Sequence, residues 1–173
     1  GWWMFRWLGH EATAVLDGGL QQWQRPLESG APQTPNPSDY QPKQSLTRHW
    51  QVQDVEHNLS QPTHLLVDAR SAERFRGEQE PIDPVAGHIP SAICLPCTDN
   101  LAPSGLFKTA EDLRQRFADL LNTHTVCYCG SGVTATHNIL AMRLAGLAEP
   151  VLYADSWSGW ITDSHRPIAL SDT

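Results

Sequence analysis

Basic residues are scarce in this chain. Lysine and arginine together number 12 against 19 aspartates and glutamates, giving a formal net charge of −7 over 173 residues. With no basic run and no basic helix, capture of nucleic acid or of an anionic membrane is excluded as a main function. An acidic chain that handles an anionic substrate would need a local cationic pocket. Long apolar runs are missing as well. The aromatic-rich start, residues 1–8, is too short to span a bilayer. It also lacks the basic leader, the extended apolar core and the small-residue cleavage site of a secretory signal. The chain is therefore expected in the cytoplasm, and its opening on Gly1 is read as a loss of upstream sequence. Cysteine is sparse too, with Cys94, Cys97, Cys127 and Cys129 making up the full set of 4. A domain of this size does not need disulfide staples, so free thiols in a reducing compartment are expected, one of them functional.

What is present supports a real core: 40% of residues are hydrophobic, and 7 are tryptophan. Residues 1–29 read as the tail of a folded unit, with the end of a buried helix over 2–8, a short strand over 13–16 and a helix over 20–27 whose Trp23 faces inward. Such a remnant cannot bury its own apolar faces. Residues 30–44, with Pro32, Pro35, Pro37 and Pro42 among polar neighbours, read as an extended linker. Residues 45–170 alternate. Helices are predicted over 51–59, 71–76, 110–121, 132–145 and 156–161, and strands over 64–67, 92–95, 125–129 and 150–153. That order predicts an α/β domain in which helices flank a central parallel sheet. Reactive groups then belong at the carboxyl ends of the strands.

Cys129 falls at such an end. A short apolar strand delivers it to the tight turn Gly130-Ser131-Gly132, and a helical pattern follows with Val133, Leu140, Leu144 and Leu147 as its apolar positions. Free backbone N–H groups and a helix start converge there, a setting that lowers a thiol pKa and exposes a thiolate. The glycines let the chain curl around the sulfur. The competing reading is a buried structural cysteine.

At these residues the chain resembles the rhodanese superfamily. The run Cys129-Gly130-Ser131-Gly132-Val133-Thr134-Ala135 is similar to the active-site loop of its tandem-domain 3-mercaptopyruvate and thiosulfate sulfurtransferases. Thiosulfate-preferring members usually carry basic residues where Gly130 and Ser131 stand. Val67-Asp68-Ala69-Arg70 followed by Arg74-Phe75-Arg76-Gly77 resembles the strand and substrate-binding arginine. Gly87-His88-Ile89-Pro90-Ser91-Ala92 resembles a family turn in which Ser91 replaces a glycine. The segment from Leu152 to Trp160 is similar to another family stretch, and Val15 to Gly19 with Trp23 looks like the end of an inactive first domain. The resemblance implies a rhodanese-like catalytic domain over 45–170, a partial second rhodanese-like unit over 1–29, and a linker over 30–44 between them. It implies that Cys129 takes a sulfane sulfur as a persulfide and passes it to a thiol or cyanide acceptor. Ser131 is then the second catalytic residue, working with a His and an Asp of the first domain. Arg74 holds the donor's carboxylate, and Gly130, Gly132, Val133 and Thr134 complete the binding loop. No cofactor and no metal are implied, and a thioredoxin-like reductant is a candidate partner. Many members carry a second arginine nine residues after the first; here that position is Asp83, which predicts weaker or rearranged donor contacts.

Other readings are weighed on single residues. A cysteine phosphatase needs an arginine closing a C-x₅-R loop, and that place holds Ala135. A catalytically silent module that binds a partner is the alternative from another class. Cys127 reads as core packing before a resolving thiol. Cys94 and Cys97 read as packed or semi-exposed thiols, because zinc would need a different spacing from Cys127 and Cys129. His88 reads as a locally bonded turn residue, Asp68 as an anchor for a loop or arginine, and Trp157 and Trp160 as core or pocket wall. Arg74 and Arg76 could both belong to a solvated helix face paired with Glu73 and Glu78.

Overall fold

Runs such as Leu65-Leu66-Val67 and Thr125-Val126-Cys127-Tyr128 are apolar on both faces, the pattern of strands covered from two sides. In the computed structural model, which describes residues 1–31 and 36–171, they form the middle of a five-stranded parallel sheet. Its strands are β1 (His49–Trp50), β2 (Leu65–Asp68), β3 (Ile93–Cys94), β4 (Thr125–Tyr128) and β5 (Val151–Tyr153). The spatial order is β1-β5-β4-β2-β3, so the central strands are β5, β4 and β2. Register sets Val67 against Cys127 and Cys127 against Leu152. The carboxyl ends of β2, β4 and β5 are thereby brought level, at Asp68, Tyr128 and Tyr153. β1, only two residues long, carries too little pattern to read in advance.

Helices α2 (Val52–Ser60), α3 (Ala72–Phe75), α4 (Ala110–Arg116), α5 (Ala135–Leu144) and α6 (Ser156–Trp160) connect or follow these strands. Asp54 accepts from the Gln51 amide at 2.7 Å, and Thr109 accepts from the Asp112 amide at 3.1 Å, which satisfies orphan donors at the starts of α2 and α4. The expected helix over 110–121 breaks at Phe117 into a short 3₁₀ turn, Ala118–Leu120. The core of this region gathers Leu66, Ile89, Val126, Tyr128, Val151, Trp157 and Trp160, with both tryptophans wholly buried.

The apolar stripe expected on α5 is corrected. Val133 is 71% and Leu144 46% exposed, whereas Ala135, Asn138, Ile139, Ala141, Met142 and Ala145 are buried. Small alanines let the helix lie close on the sheet, and Asn138 is held by hydrogen bonds to Asn100 and to the Leu95 carbonyl at 2.7 and 2.8 Å. Hydrophobicity alone had favoured the bulkier leucines.

The chain divides into two units, Gly1–Thr47 and Arg48–Thr173. In the first, α1 (Trp2–Trp7) forms, with the Trp3 and Trp7 rings stacked 6.5 Å apart, but its expected burial is corrected: Trp3 is buried, while Met4, Phe5 and Trp7 are exposed. The strand expected over 13–16 is absent; Val15 and Leu16 are 47% and 48% exposed and pair with no strand. The helix expected over 20–27 shrinks to a 3₁₀ turn, Gly19–Gln22, and Trp23 is exposed rather than inward. The polar stretch before residue 47 is not free-standing. Lys43 and Leu46 donate backbone hydrogen bonds to Leu8 and Arg6, and the Tyr40 hydroxyl donates to the Leu8 carbonyl at 2.8 Å. Pro32 and Pro35 of the expected linker lie outside the described residues. Among the described residues no helix is long and apolar enough to cross a membrane.

Candidate active site

Strand β4 ends at Tyr128 and the chain turns away at Cys129. Three interactions fix the turn. The Cys129 amide donates to the Ser156 hydroxyl at 3.0 Å, and the Trp157 and Ser158 amides donate to the carbonyls of Cys129 and Gly130 at 3.0 and 2.9 Å. Ser156, whose hydroxyl in turn donates to the Tyr153 carbonyl at 2.9 Å, sits at φ +54° at the start of α6. The start of α6 and the Cys129 turn therefore hold each other. Gly132 adopts φ +76°, and a Cβ there would run into the Ala154 carbonyl oxygen. No other residue fits that position without moving backbone.

With the turn fixed, the backbone N–H groups of Gly130 through Thr134 make no hydrogen bond to other described residues. They lead directly into α5, which begins at Ala135 rather than at Gly132. Free amides beside a helix start favour negative charge. Cys129 is only 2% exposed, yet its side lines a pocket of about 180 Å³ together with Gly130, Ser131, Val133, Thr134, Arg74, Ile82, Asp83 and Ser158. All the residues named from the sequence thus border this pocket, except Gly132, which shapes the turn. A larger hollow of about 510 Å³, lined by Lys108, Asp112 and Arg116 among others, contains no thiol.

The opposite wall is charged. Arg74 directs Nη2 to Glu80 at 2.7 Å and to Asp83 at 3.1 Å, and its Nε also reaches Glu80 at 3.1 Å. Its Nη1 has no hydrogen bond to a described residue, and it borders the loop: a Cβ built on Gly130 would lie 3.6 Å from Nη1 and 3.9 Å from the Asp83 carboxylate. Asp83 accepts a second bond, from the Ser158 hydroxyl at 2.7 Å. Burial alone would raise the Glu80 carboxyl, but Arg74 and the Asp83 and Ile82 amides outweigh it and hold Glu80 below its ordinary range.

Behind Glu80 the chain of alternating charge continues into the sheet. Arg70 reaches Glu80 at 3.2 Å and Asp68 at 2.7 Å, donates to the Gly87 carbonyl, and lies over the Trp157 ring. Asp68 is thus an arginine anchor, as its position suggested. Arg76 follows the plainer reading and pairs with Glu78 at the surface, whereas Arg74 does not belong to that solvated face. Glu80 escaped the sequence reading, and Ser156 and Ser158, though inside the matched segment 152–160, were given no role by it. Their roles depend on contacts across the fold, and only Asp83 carried a signal, as a carboxylate where a cation was expected.

The other thiols differ from Cys129. Cys127 is fully buried in β4, and burial, reinforced by the neighbouring Cys129 sulfur, pushes its pKa far up. Cys97 is half-buried and likewise raised, chiefly by desolvation. Cys94 is half-buried at the end of β3. His88 is buried, its Nδ1 2.8 Å from the Phe75 carbonyl and its ring stacked on Phe75, which leaves it a structural role. Ser91 adopts φ +62°, the left-handed conformation that a glycine would take most readily.

Comparison with known proteins shows the family. The family model described as "Rhodanese-like domain" matches residues 51–163. The probable 3-mercaptopyruvate sulfurtransferase of Pseudomonas aeruginosa is 47% identical over 99% of this chain and 63% of its own length. The human 3-mercaptopyruvate sulfurtransferase is 40% identical over 99% of this chain and 60% of its own. The chain therefore spans about three fifths of these relatives. The crystal structure of the Tum1 protein from Saccharomyces cerevisiae is similar with a TM-score of 0.84 at 25% identity, over 99% of this chain and 64% of that one.

Proposed function

The chain belongs to the rhodanese-like domain family, and from that premise we propose that it is a sulfurtransferase working through a Cys129 persulfide. The observation that carries the reading is the pairing of a thiol framed by unpartnered loop amides with a free guanidinium edge in the same small pocket. A 3-mercaptopyruvate donor would set its carboxylate on Nη1 of Arg74. The Cys129 thiolate attacks the donor's sulfur, the carbon–sulfur bond breaks, and the electron pair leaves as the enolate of pyruvate, which takes up a proton. Ser131, exposed and lining the pocket, is the proposed carrier of that proton, together with a His and an Asp of the first domain. The persulfide is then discharged to a thiol or to cyanide, with a thioredoxin-like protein as a candidate final reductant. Thiosulfate is the less favoured donor. Gly130 and Ser131 offer it no cation, and Arg74 is flanked by two carboxylates.

Residues 45–170 are taken as the catalytic domain and residues 1–29 as part of a second, inactive rhodanese-like unit. The cytoplasm is the proposed compartment, a reducing one in which cysteines stay as thiols. The low exposure of Cys129 favours one competing reading, a silent module that binds a partner. Intact mass after incubation with 3-mercaptopyruvate decides between them. One added sulfur on the wild type and none on Cys129→Ser supports transfer, and no addition to the wild type overturns it. Cell fractionation tests the compartment.

A further inference from the structure

Resting on the sulfur-transfer reading of this pocket, we infer that Asp83 makes the site select a thiol acceptor carrying an ammonium group next to its carboxylate, that is, an α-amino-acid thiol. Three observations converge on one small volume. Arg74 offers a free Nη1 edge for a carboxylate, within reach of the loop that holds Cys129. Beside it stand the Asp83 carboxylate and the Ser158 oxygen, and the Ser158 proton is already committed to Asp83 at 2.7 Å. What faces a substrate there is acceptor-rich: carboxylate lone pairs and a hydroxyl lone pair, with no spare donor among these groups. An ammonium with three N–H groups finds acceptors for them at that place.

Charge points the same way. One guanidinium in direct contact with two carboxylates leaves the wall at a net −1. A zwitterion meets that excess with its own ammonium, whereas a donor with a lone carboxylate relies on Nη1 of Arg74 alone. The about 180 Å³ of the pocket suits a molecule of a few heavy atoms.

The transfer step balances without an added oxidant. The acceptor thiolate attacks the outer sulfur of the Cys129 persulfide, a sulfur–sulfur bond forms to the acceptor, and the bond to Cys129 breaks. Its electron pair leaves on Cys129 as thiolate, and the acceptor's thiol proton goes to solvent. The sulfane sulfur keeps its oxidation level.

Cysteine and 3-mercaptopropionate share the thiol and the carboxylate and differ only in the ammonium. With the persulfide formed, kcat/KM is measured for both acceptors in the wild type and in Asp83→Asn, and the change in their ratio cancels the intrinsic reactivity of each thiol. The expected result is a ratio about tenfold higher in the wild type, the scale of one charge-assisted contact. An unchanged ratio overturns the inference. A second measurement needs only the wild type: protection of Cys129 from iodoacetamide by L-serine and by 3-hydroxypropionate. Protection by serine at roughly tenfold lower concentration supports ammonium recognition, and equal protection overturns it. Should Cys129 take up no sulfur, the transfer reading fails, while the protection experiment still reads ammonium selection alone.

Discussion

On one side of the pocket, residues 129–134 present backbone amides and small neutral side chains. On the other, residues 74–83 present a guanidinium wedged between two carboxylates. The neutral side is one continuous stretch, a strand end, a left-handed glycine and a helix start, clasped from outside by Ser156, Trp157 and Ser158. The charged side is made by side chains whose identity as charges is the whole of the wall: Arg74 meets Glu80 and Asp83 at sequence separations of 6 and 9, and Ser158 joins Asp83 from 75 residues away. A backbone wall tolerates changes of charge but not of shape. A wall of side chains tolerates changes of shape but not of charge. Substitutions on the two sides should therefore fail in different ways.

Glu80 is the place where the charged wall breaks most heavily. Its side chain is 4% exposed and holds both Arg70 and Arg74. Glu80→Gln should lower unfolding free energy by about 3 kcal/mol at neutral pH, because it leaves two guanidinium groups short of a partner. Since the folded carboxyl is held below its ordinary value, its contribution is complete above the unfolded pKa of roughly 4.3 and fades as pH falls through the depressed value. Urea titrations should therefore show the gap between wild type and variant closing at acid pH. A gap constant with pH would place the effect in packing.

The neutral wall breaks by shape. Gly132→Val forces a branched side chain into φ +76° against the Ala154 carbonyl. Displacing the loop should reduce single-turnover sulfur uptake by about 100-fold, the scale of a misplacement near 1 Å. Near-normal uptake would show that the amides are not aimed at the reacting sulfur.

Arg74→Ala separates binding from transfer. Loss of one charge-assisted carboxylate contact should cost about 1.5–3 kcal/mol in kcat/KM for 3-mercaptopyruvate, with iodoacetamide labelling of Cys129 retained. Unchanged kinetics would remove Arg74 from donor binding. Two residues along, Arg76→Ala gives the smallest effect. It loses a pair with Glu78 at the solvent-exposed surface, and thermal melting should show little shift. Placing these neighbours on the same curve tests whether charge matters for its own sake or only when it faces the pocket.

The same contrast explains what could be read in advance. Strands β2, β4 and β5 announced themselves because their short apolar runs are buried on both faces. Cys129 was legible because its surroundings are local: strand, glycine, serine, glycine, helix. The face of α5 was misread because close packing selected alanines over leucines, and the strand over 13–16 failed because nothing pairs with it. Arg74 could be placed only through resemblance, since an arginine between acidic residues on a short helix reads equally well as surface. Glu80 carried no pattern, because a carboxylate shortly after two arginines reads equally well as surface, and Ser158, inside the matched stretch 152–160, gave no sign of the bond that the chain completes only late, to Asp83 75 residues earlier.

That lateness matters during synthesis. The Cys129 amide is tied to Ser156, and the carbonyls of Cys129 and Gly130 are tied to the amides of Trp157 and Ser158. A ribosome that has made residue 140 has supplied the nucleophile, the glycines and Arg74, yet nothing to hold the turn. Only when the stretch around residues 153–158 emerges can the loop close on its clasp. Chains that stall or are clipped before that point should carry a cysteine with no cradle, so the growing polypeptide is kept from acquiring a reactive sulfur before the sheet that shields it is complete.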